Sequence, residues 1–271
     1  MSNCPSCSSN KVKKLWLLKK TDKFVILHCQ NCDLCFKEDI YKDTTFNIQE
    51  GDYYLKKSTG NKVNERYKKH FSRRSKDHLE YIEKFIRGNY KKSVLDIGCG
   101  AGIFLSYLRT KGWKVEGLEP DPIMFDYAKN SLSLNVSNHY FEDWKSEEKY
   151  GLIYMSHILD DIPDIKKTLK EIYKKMDING LLFIEVPNLS VKFRINFEKE
   201  AELKAGEYFF SKKSLTFLLE KNGFNIIDIK TFRLVHLNTI LQKIMSPFAY
   251  IMKFQPKKFR PYLRVIAKKN E

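Results

Sequence analysis

The 271-residue chain predicts an α/β fold: a doubly wound, mostly parallel sheet of seven strands, preceded by a small cysteine-bearing ribbon. Three observations lead there. From Ser93 onward, short apolar runs alternate with amphipathic stretches, the pattern of strands and crossover helices that cover both faces of a parallel sheet. The first of these runs, VLDI, breaks into glycines at every second position (Gly98, Gly100, Gly102), where a strand should hand over to a helix. Five of the six cysteines fall within the first 35 residues, in pairs.

The elements follow in order. Residues 46–92 are polar and aromatic, and Tyr67, Phe71, His78, Tyr81, Ile82, Phe85 and Ile86 recur at helical spacing. A solvated helix with one aromatic face on the core is expected there, as a helical linker or lid. VLDI is a buried strand and IFLSYLRTKG a helix ended by Gly112. WKVEGLE is the second strand, PDPIMFDYAKNS a helix with Pro122 in its first turn, and NVSNHYFE a weak third strand. GLIYM is the fourth strand. DIKKTLKEIYKKM is an amphipathic helix expected to end near Asn179 and Gly180. LLFIEV is the fifth strand, stopped by Pro187. SKKSLTFLLEKNGF is a helix capped by Ser211 and ended by Gly223, and NIIDIKTFRLV and YLRVIAKK close the sheet. The chain thus divides into a ribbon over 1–45, a helical linker over 46–92 and a Rossmann-like domain over 93–271.

Composition limits the function classes. No run of 18 apolar residues exists, so no membrane-spanning helix is expected. The N-terminus lacks the apolar core of a secretory signal, and a cytoplasmic location is expected. The net charge of +16 invites a nucleic-acid reading, but the excess is 40 Lys against 9 Arg. Arginine is the residue that grips phosphates and bases with fixed geometry, so the charge alone argues weakly for it. Residues 236–258 form an insert with Leu237, Ile240, Leu241, Ile244, Met245 and Phe248 on one helical face. It reads as a cover over an acceptor pocket or as a helix that touches a membrane surface.

Cys4-x2-Cys7 and Cys29-x2-Cys32, 21 residues apart, suit two knuckles that share one tetrahedral ion. Zinc fits four sulfurs best, and a closed site of this kind is structural. His28 and Cys35 are spare and read as packing.

The glycine turn carries the chemistry. In an open parallel sheet the ligand lies outside the carboxyl ends of the strands. Glycines there let backbone N–H groups come close to it. The spacing is Asp-x-Gly-x-Gly-x-Gly, which is not the dinucleotide pattern, and no lysine lies between Val94 and Leu108. Asp96 would repel a pyrophosphate and favour a cationic ligand. Glu119, at the end of the second strand, can accept hydrogen bonds from both hydroxyls of a ribose. S-adenosylmethionine has both a ribose and a positive centre.

Residues 93–267 resemble a class I S-adenosylmethionine-dependent methyltransferase. VLDIGCGAG, GLEPD, YGLIYMSHILDDIPD, GLLFIEVPN and EYFFSKKSLTFLLEKNGF carry the likeness. Four positions depart from it: Gly151 stands for an aspartate, Asp160-Asp161 for Glu-His, and Tyr208 for a histidine. The resemblance implies that Asp96, Gly98 and Gly100 line the methionine portion, that Gly102 eases helix packing and that Glu119 holds the ribose. It implies Asp121 and Pro122 nearby, Glu142 and Asp143 at the adenine amine, and Ser156 and His157 facing cofactor and acceptor. Trp144 is a candidate to stack there or to fill the core. Candidates for a base are His157, Asp160, Asp161 and Tyr208; Cys99 reads as a small buried filler. A ribbon followed by Tyr53-Tyr54 and this domain resembles bacterial enzymes of sugar and cell-surface polysaccharide biosynthesis, which implies a small-molecule or glycan acceptor. An RNA methyltransferase using the basic run at 62–76 and a non-catalytic ribbon scaffold are the alternatives. The oligomeric state is open.

Overall fold

The structure is a computed structural model that describes residues 3–15, 25–38, 63, 65–188, 207–232 and 262–270. The insert at 236–258 and Tyr53-Tyr54 lie outside the described residues. Three short strands open the chain, β1 (Val12–Leu15), β2 (Ile26–Cys29) and β3 (Cys35–Lys37), followed by helix α1 (Glu65–Glu83). Next come β4 (Ser93–Ile97), α2 (Ile103–Thr110), β5 (Lys114–Leu118) and α3 (Pro122–Asp126), which runs on as a π-helical turn over Tyr127–Ser131. The chain continues through β6 (Val136–Ser137), β7 (Tyr150–Ser156), α4 (Ile165–Lys175) and β8 (Met176–Pro187). It closes with β9 (Tyr208–Phe209), α5 (Lys212–Lys221), β10 (Phe224–Phe232) and β11 (Tyr262–Lys269).

The large sheet has seven strands in the order β10-β11-β8-β7-β4-β5-β6. Strands β4 to β8 pair in parallel, and β11 runs antiparallel to both β8 and β10. Successive connections run outward in opposite directions from β4, so the crevice at the carboxyl ends of β4 and β7 is where a ligand belongs. Side chains of each strand alternate between two cores. Leu95, Ile153, Met155 and Leu182 face Ile165, Leu169 and Ile172 of α4 and Leu215, Leu218 and Leu219 of α5. Val94, Leu152, Tyr154 and Phe183 face Leu79, Tyr81 and Ile82 of α1 and Phe104, Leu105 and Leu108 of α2. With both faces covered, these strands are apolar almost throughout.

Local chemistry sets several boundaries. Asp121 caps α3, its Oδ1 accepting from the N–H groups of Ile123 and Met124 at 2.8 and 2.9 Å. Ser211 and Ser214 form a reciprocal capping box on α5. One expectation is corrected: α4 does not reach Asn179. It stops at Lys175, because Met176 turns extended and pairs with Tyr150 of β7. Ile178, just beyond, is 84% exposed.

The second sheet has the order β1-β2-β3-β9, so the ribbon's sheet is completed by a strand from beyond residue 200. Its interior is continuous with the first core: Leu27, Leu34 and Phe36 pack in the same cluster as Met155, Leu159 and Phe210.

Candidate active site and metal centre

The turn after β4 is built by left-handed backbone. Gly98, Gly100 and Gly102 have φ of 74°, 54° and 71°, a region that side-chain-bearing residues occupy only at a cost. A Cβ on Gly98 would overlap the side chain of Ile158, and one on Gly102 would come within 2.5 Å of Leu134. The N–H groups of Gly98 and Cys99 both donate to the carbonyl of Leu118 in β5, at 2.8 and 2.9 Å. The Gly100 N–H donates to Glu119 Oε2 at 2.6 Å, and the Asp121 N–H to Oε1 at 2.9 Å. Over this turn lies the first part of α1, with the Tyr67 hydroxyl 3.2 Å from where a Gly100 Cβ would be.

The electrostatics of the turn are unusual. Asp96 and Glu119 are only 2% and 8% exposed, and no lysine or arginine side chain among the described contacts pairs with either. Burial, reinforced by the charge of Glu119, pushes the Asp96 carboxyl well above the usual range. Burial pushes Glu119 up to about 7, against the two backbone donors that favour its charged form. The Cys99 thiol is pushed up by burial and by both carboxylates, which makes it a poor nucleophile and a small core residue.

Other predicted residues divide. Ser156 and His157 lie together at the end of β7. Ser156 Oγ accepts from Arg74 Nη2 at 2.7 Å. His157 has a φ of 59°, its N–H donates to the Glu185 carbonyl at 2.8 Å, and its Nε2 is 3.6 Å from Glu185 Oε1. Asp160 and Asp161 follow on the same loop, Asp160 being 9% exposed. Tyr208 is 1% exposed and donates to the Pro163 carbonyl at 2.8 Å, a contact that braces β9 against the loop after β7. Glu142 accepts from Thr168 of α4 at 3.2 Å, Asp143 is exposed, and Trp144 packs on Tyr150 and Phe141 in the core.

Sequence reasoning missed a charged cluster beneath His157. Glu185 of β8 is fully buried and ion-paired with Arg74 and, at 2.9 Å, with Arg264, while His78 Nε2 lies 3.0 Å from its Oε2. Arg264 also reaches Asp77 at 2.8 Å, and His78 Nδ1 lies 2.6 Å from the Tyr154 hydroxyl. Burial holds His78 down to about 4, so it is neutral at pH 7. Burial would raise Glu185 as well, but the histidines and Arg74 outweigh it and hold its carboxyl well below the usual range. With His78 neutral, the arginines carry that effect. Arg74 belongs to the basic run at 62–76, so part of the charge that suggested nucleic acid is spent inside the protein.

At the ribbon, the sulfurs of Cys4, Cys7, Cys29 and Cys32 all lie within 4.8 Å of one another. Cys4 and Cys32 are 3.5 Å apart, as are Cys7 and Cys29. Ligands about 2.3 Å from a tetrahedral zinc stand about 3.8 Å apart, so this donor set fits such an ion. His28 is turned to Asp33 at 2.8 Å, and Cys35 is buried in β3.

Comparison with known proteins agrees with this geometry. The family model described as "Methyltransferase domain" matches residues 67–229. Malonyl-[acyl-carrier protein] O-methyltransferase 1 of Ilyobacter polytropus is 26% identical over 177 residues, 58% of this chain and 66% of that protein. Ubiquinone biosynthesis O-methyltransferase of Actinobacillus pleuropneumoniae is 28% identical over 125 residues, 42% of this chain and 53% of that protein. The chain therefore spans between about half and two thirds of the length of these relatives. The crystal structure of magnesium protoporphyrin IX methyltransferase from Synechocystis with bound SAH superposes with a TM-score of 0.55 at 15% identity, covering 83% of this chain and 96% of that one. The fold and the glycine turn place the protein among the Rossmann-like methyltransferases. The chain belongs to the methyltransferase-domain family.

Proposed function

We propose that the protein transfers the methyl group of S-adenosylmethionine to an oxygen of a small molecule. The observation that carries this reading is the pair of buried, uncompensated carboxylates at a turn of three left-handed glycines. Asp96 and the backbone at Gly98 and Gly100 hold the amino-acid end of the cofactor, and Glu119 holds its ribose. The cofactor supplies an electrophilic methyl on a sulfonium. The chain must hold the acceptor in line and take its proton. His157 is the group assigned to the proton: it stands at the mouth of the crevice, with 32% of its side chain exposed and the Glu185 carboxylate behind it to stabilise an imidazolium. Its left-handed backbone is the kind of strain that collects at functional positions.

Both relatives described above are named as O-methyltransferases, which supports oxygen as the methylated atom. The ribbon in front of this domain supports a sugar or glycan-biosynthesis intermediate as acceptor and structural zinc at the four cysteines. Calorimetric titration with S-adenosylhomocysteine tests the first step. The native chain should bind, and Asp96→Asn should bind at least roughly tenfold more weakly while melting no lower, because the ligand-free fold favours a neutral group there. No heat and no thermal shift with the native chain would overturn the assignment.

A further inference from the structure

The four-sulfur site lies at the opposite end of the sequence from β9, yet β9 ties it to the loop that follows β7. One edge of β9 pairs with β3, Cys35 against Phe209 and Phe36 against Tyr208. The N–H groups of Glu207 and Tyr208 both donate to the Asp160 carbonyl, at 2.7 and 3.0 Å, and the Tyr208 hydroxyl donates to Pro163 at 2.8 Å. The next residue, Phe210, bridges to Asn188 just past β8. Side chains reinforce the seam. Asp33, adjacent to Cys32, accepts from Ser211 Oγ, and Lys37 pairs with Glu207 at 3.1 Å. The knuckle residues Cys4, Cys29 and Cys32 share one core with Met155, Leu159, Tyr208 and Phe210.

We propose that the ribbon is a positioning element for the acceptor side of the site. Metal bound by Cys4, Cys7, Cys29 and Cys32 fixes β3, β3 fixes β9, and β9 fixes the loop at 157–164 that carries His157, Asp160 and Asp161. The functional meaning of that loop rests on the reading above; the mechanical link does not. Strands of three and two residues do not hold themselves together, and in small cysteine knuckles the binding energy of the metal is the folding energy. Removing the ion therefore takes the frame from β3 and two donors from Asp160. The cofactor turn is braced differently, by β5 through the Leu118 carbonyl; among the described residues no backbone hydrogen bond ties it to β9, and the loop meets it through the Ile158 side chain at Gly98. Loss of metal should loosen the acceptor loop and leave the cofactor turn in place.

The experiment compares the full chain with its metal intact and after chelation, metal content being measured in each. Amide hydrogen exchange is followed by mass spectrometry, and S-adenosylhomocysteine affinity by calorimetry. In the stripped protein, exchange over 157–164 and 207–211 should rise roughly tenfold or more, while exchange over 94–105 and the Kd stay within about threefold. Unchanged exchange over 157–164, with the knuckle opened, overturns the proposal. Equal loosening of 94–105 overturns it too, since that is general unfolding. If the metal-loaded chain fails to bind S-adenosylhomocysteine, the proposed function falls while the exchange data still judge the seam. Asp33→Gly provides a milder variant: it keeps all four sulfurs and tolerates the φ of 66° but deletes the acceptor of Ser211. It should retain full metal and exchange faster over 207–211; no change there also counts against the proposal.

Discussion

Buried carboxylates on the two sides of the β4–β7 crevice have opposite fates. Glu119 takes two backbone N–H donors and Asp96 lies beside it, among the described residues no basic side chain pairs with either, and burial drives both toward the neutral form. Glu185, two strands away, is just as buried but is ringed by Arg74, Arg264 and His78, and stays ionised. A compensated carboxylate is finished within the protein. An uncompensated pair beside a turn free of side chains is, on the proposed function, completed by a ligand that brings positive charge. The first kind of site should govern stability, and the second should govern binding.

The largest expected effect lies on the compensated side. Glu185→Gln leaves the buried Arg74 guanidinium without its counter-charge and Arg264 with Asp77 alone, and should cost about 3–5 kcal/mol of stability in urea or thermal unfolding. An unchanged midpoint would erase the contrast.

The uncompensated side should show itself through pH. Because burial raises the Glu119 pKa in the fold, its contribution to the ligand-free protein is full below the ordinary carboxylate range and is lost as pH rises through about 7. Glu185, held low, has the reverse sign: its contribution is present above the ordinary range and is lost as pH falls through its depressed value. A ligand that prefers ionised Glu119 must expel its proton below pH 7. Affinity for S-adenosylhomocysteine should therefore rise by up to about tenfold per pH unit toward neutrality and then flatten. Calorimetry in buffers of different ionisation enthalpy should detect the released proton; a flat affinity from about pH 6 to about pH 8 would contradict it.

The smallest effect separates strut from base. Tyr208→Phe removes one hydrogen bond to Pro163 and should cost about 1 kcal/mol of stability. If turnover on an identified acceptor stays within about threefold, the strut role stands; a collapse of kcat at unchanged stability would return Tyr208 to the catalytic candidates.

The same contrast explains what could be read in the sequence. The glycine turn was legible because its demand is local: three positions must adopt left-handed backbone, and only one residue type does so freely. Glu119 was legible from its spacing at the end of the second strand. Glu185 was not, because IEV within LLFIEV reads as buried strand, and its partners come from residues 74, 78 and 264. Arg74 looked like one more solvated cation in a basic helix. Strand β9 is two residues long, too short to leave a pattern, and only the register with β3 gives it meaning. The overlong α4 arose because Asn179 and Gly180 read as its stop signal, whereas pairing of Met176 with Tyr150 of β7 ends it earlier.

Gly151 stands where the resembling methyltransferases carry an aspartate. A Cβ there would run into the Lys91 carbonyl, and Tyr90 closes over the same spot, its hydroxyl bonded to the Gly151 carbonyl. The chain entering β4 fills the room that a side chain at 151 would occupy. A side chain at 151 would therefore require residues 90 and 91 to approach the sheet by another route.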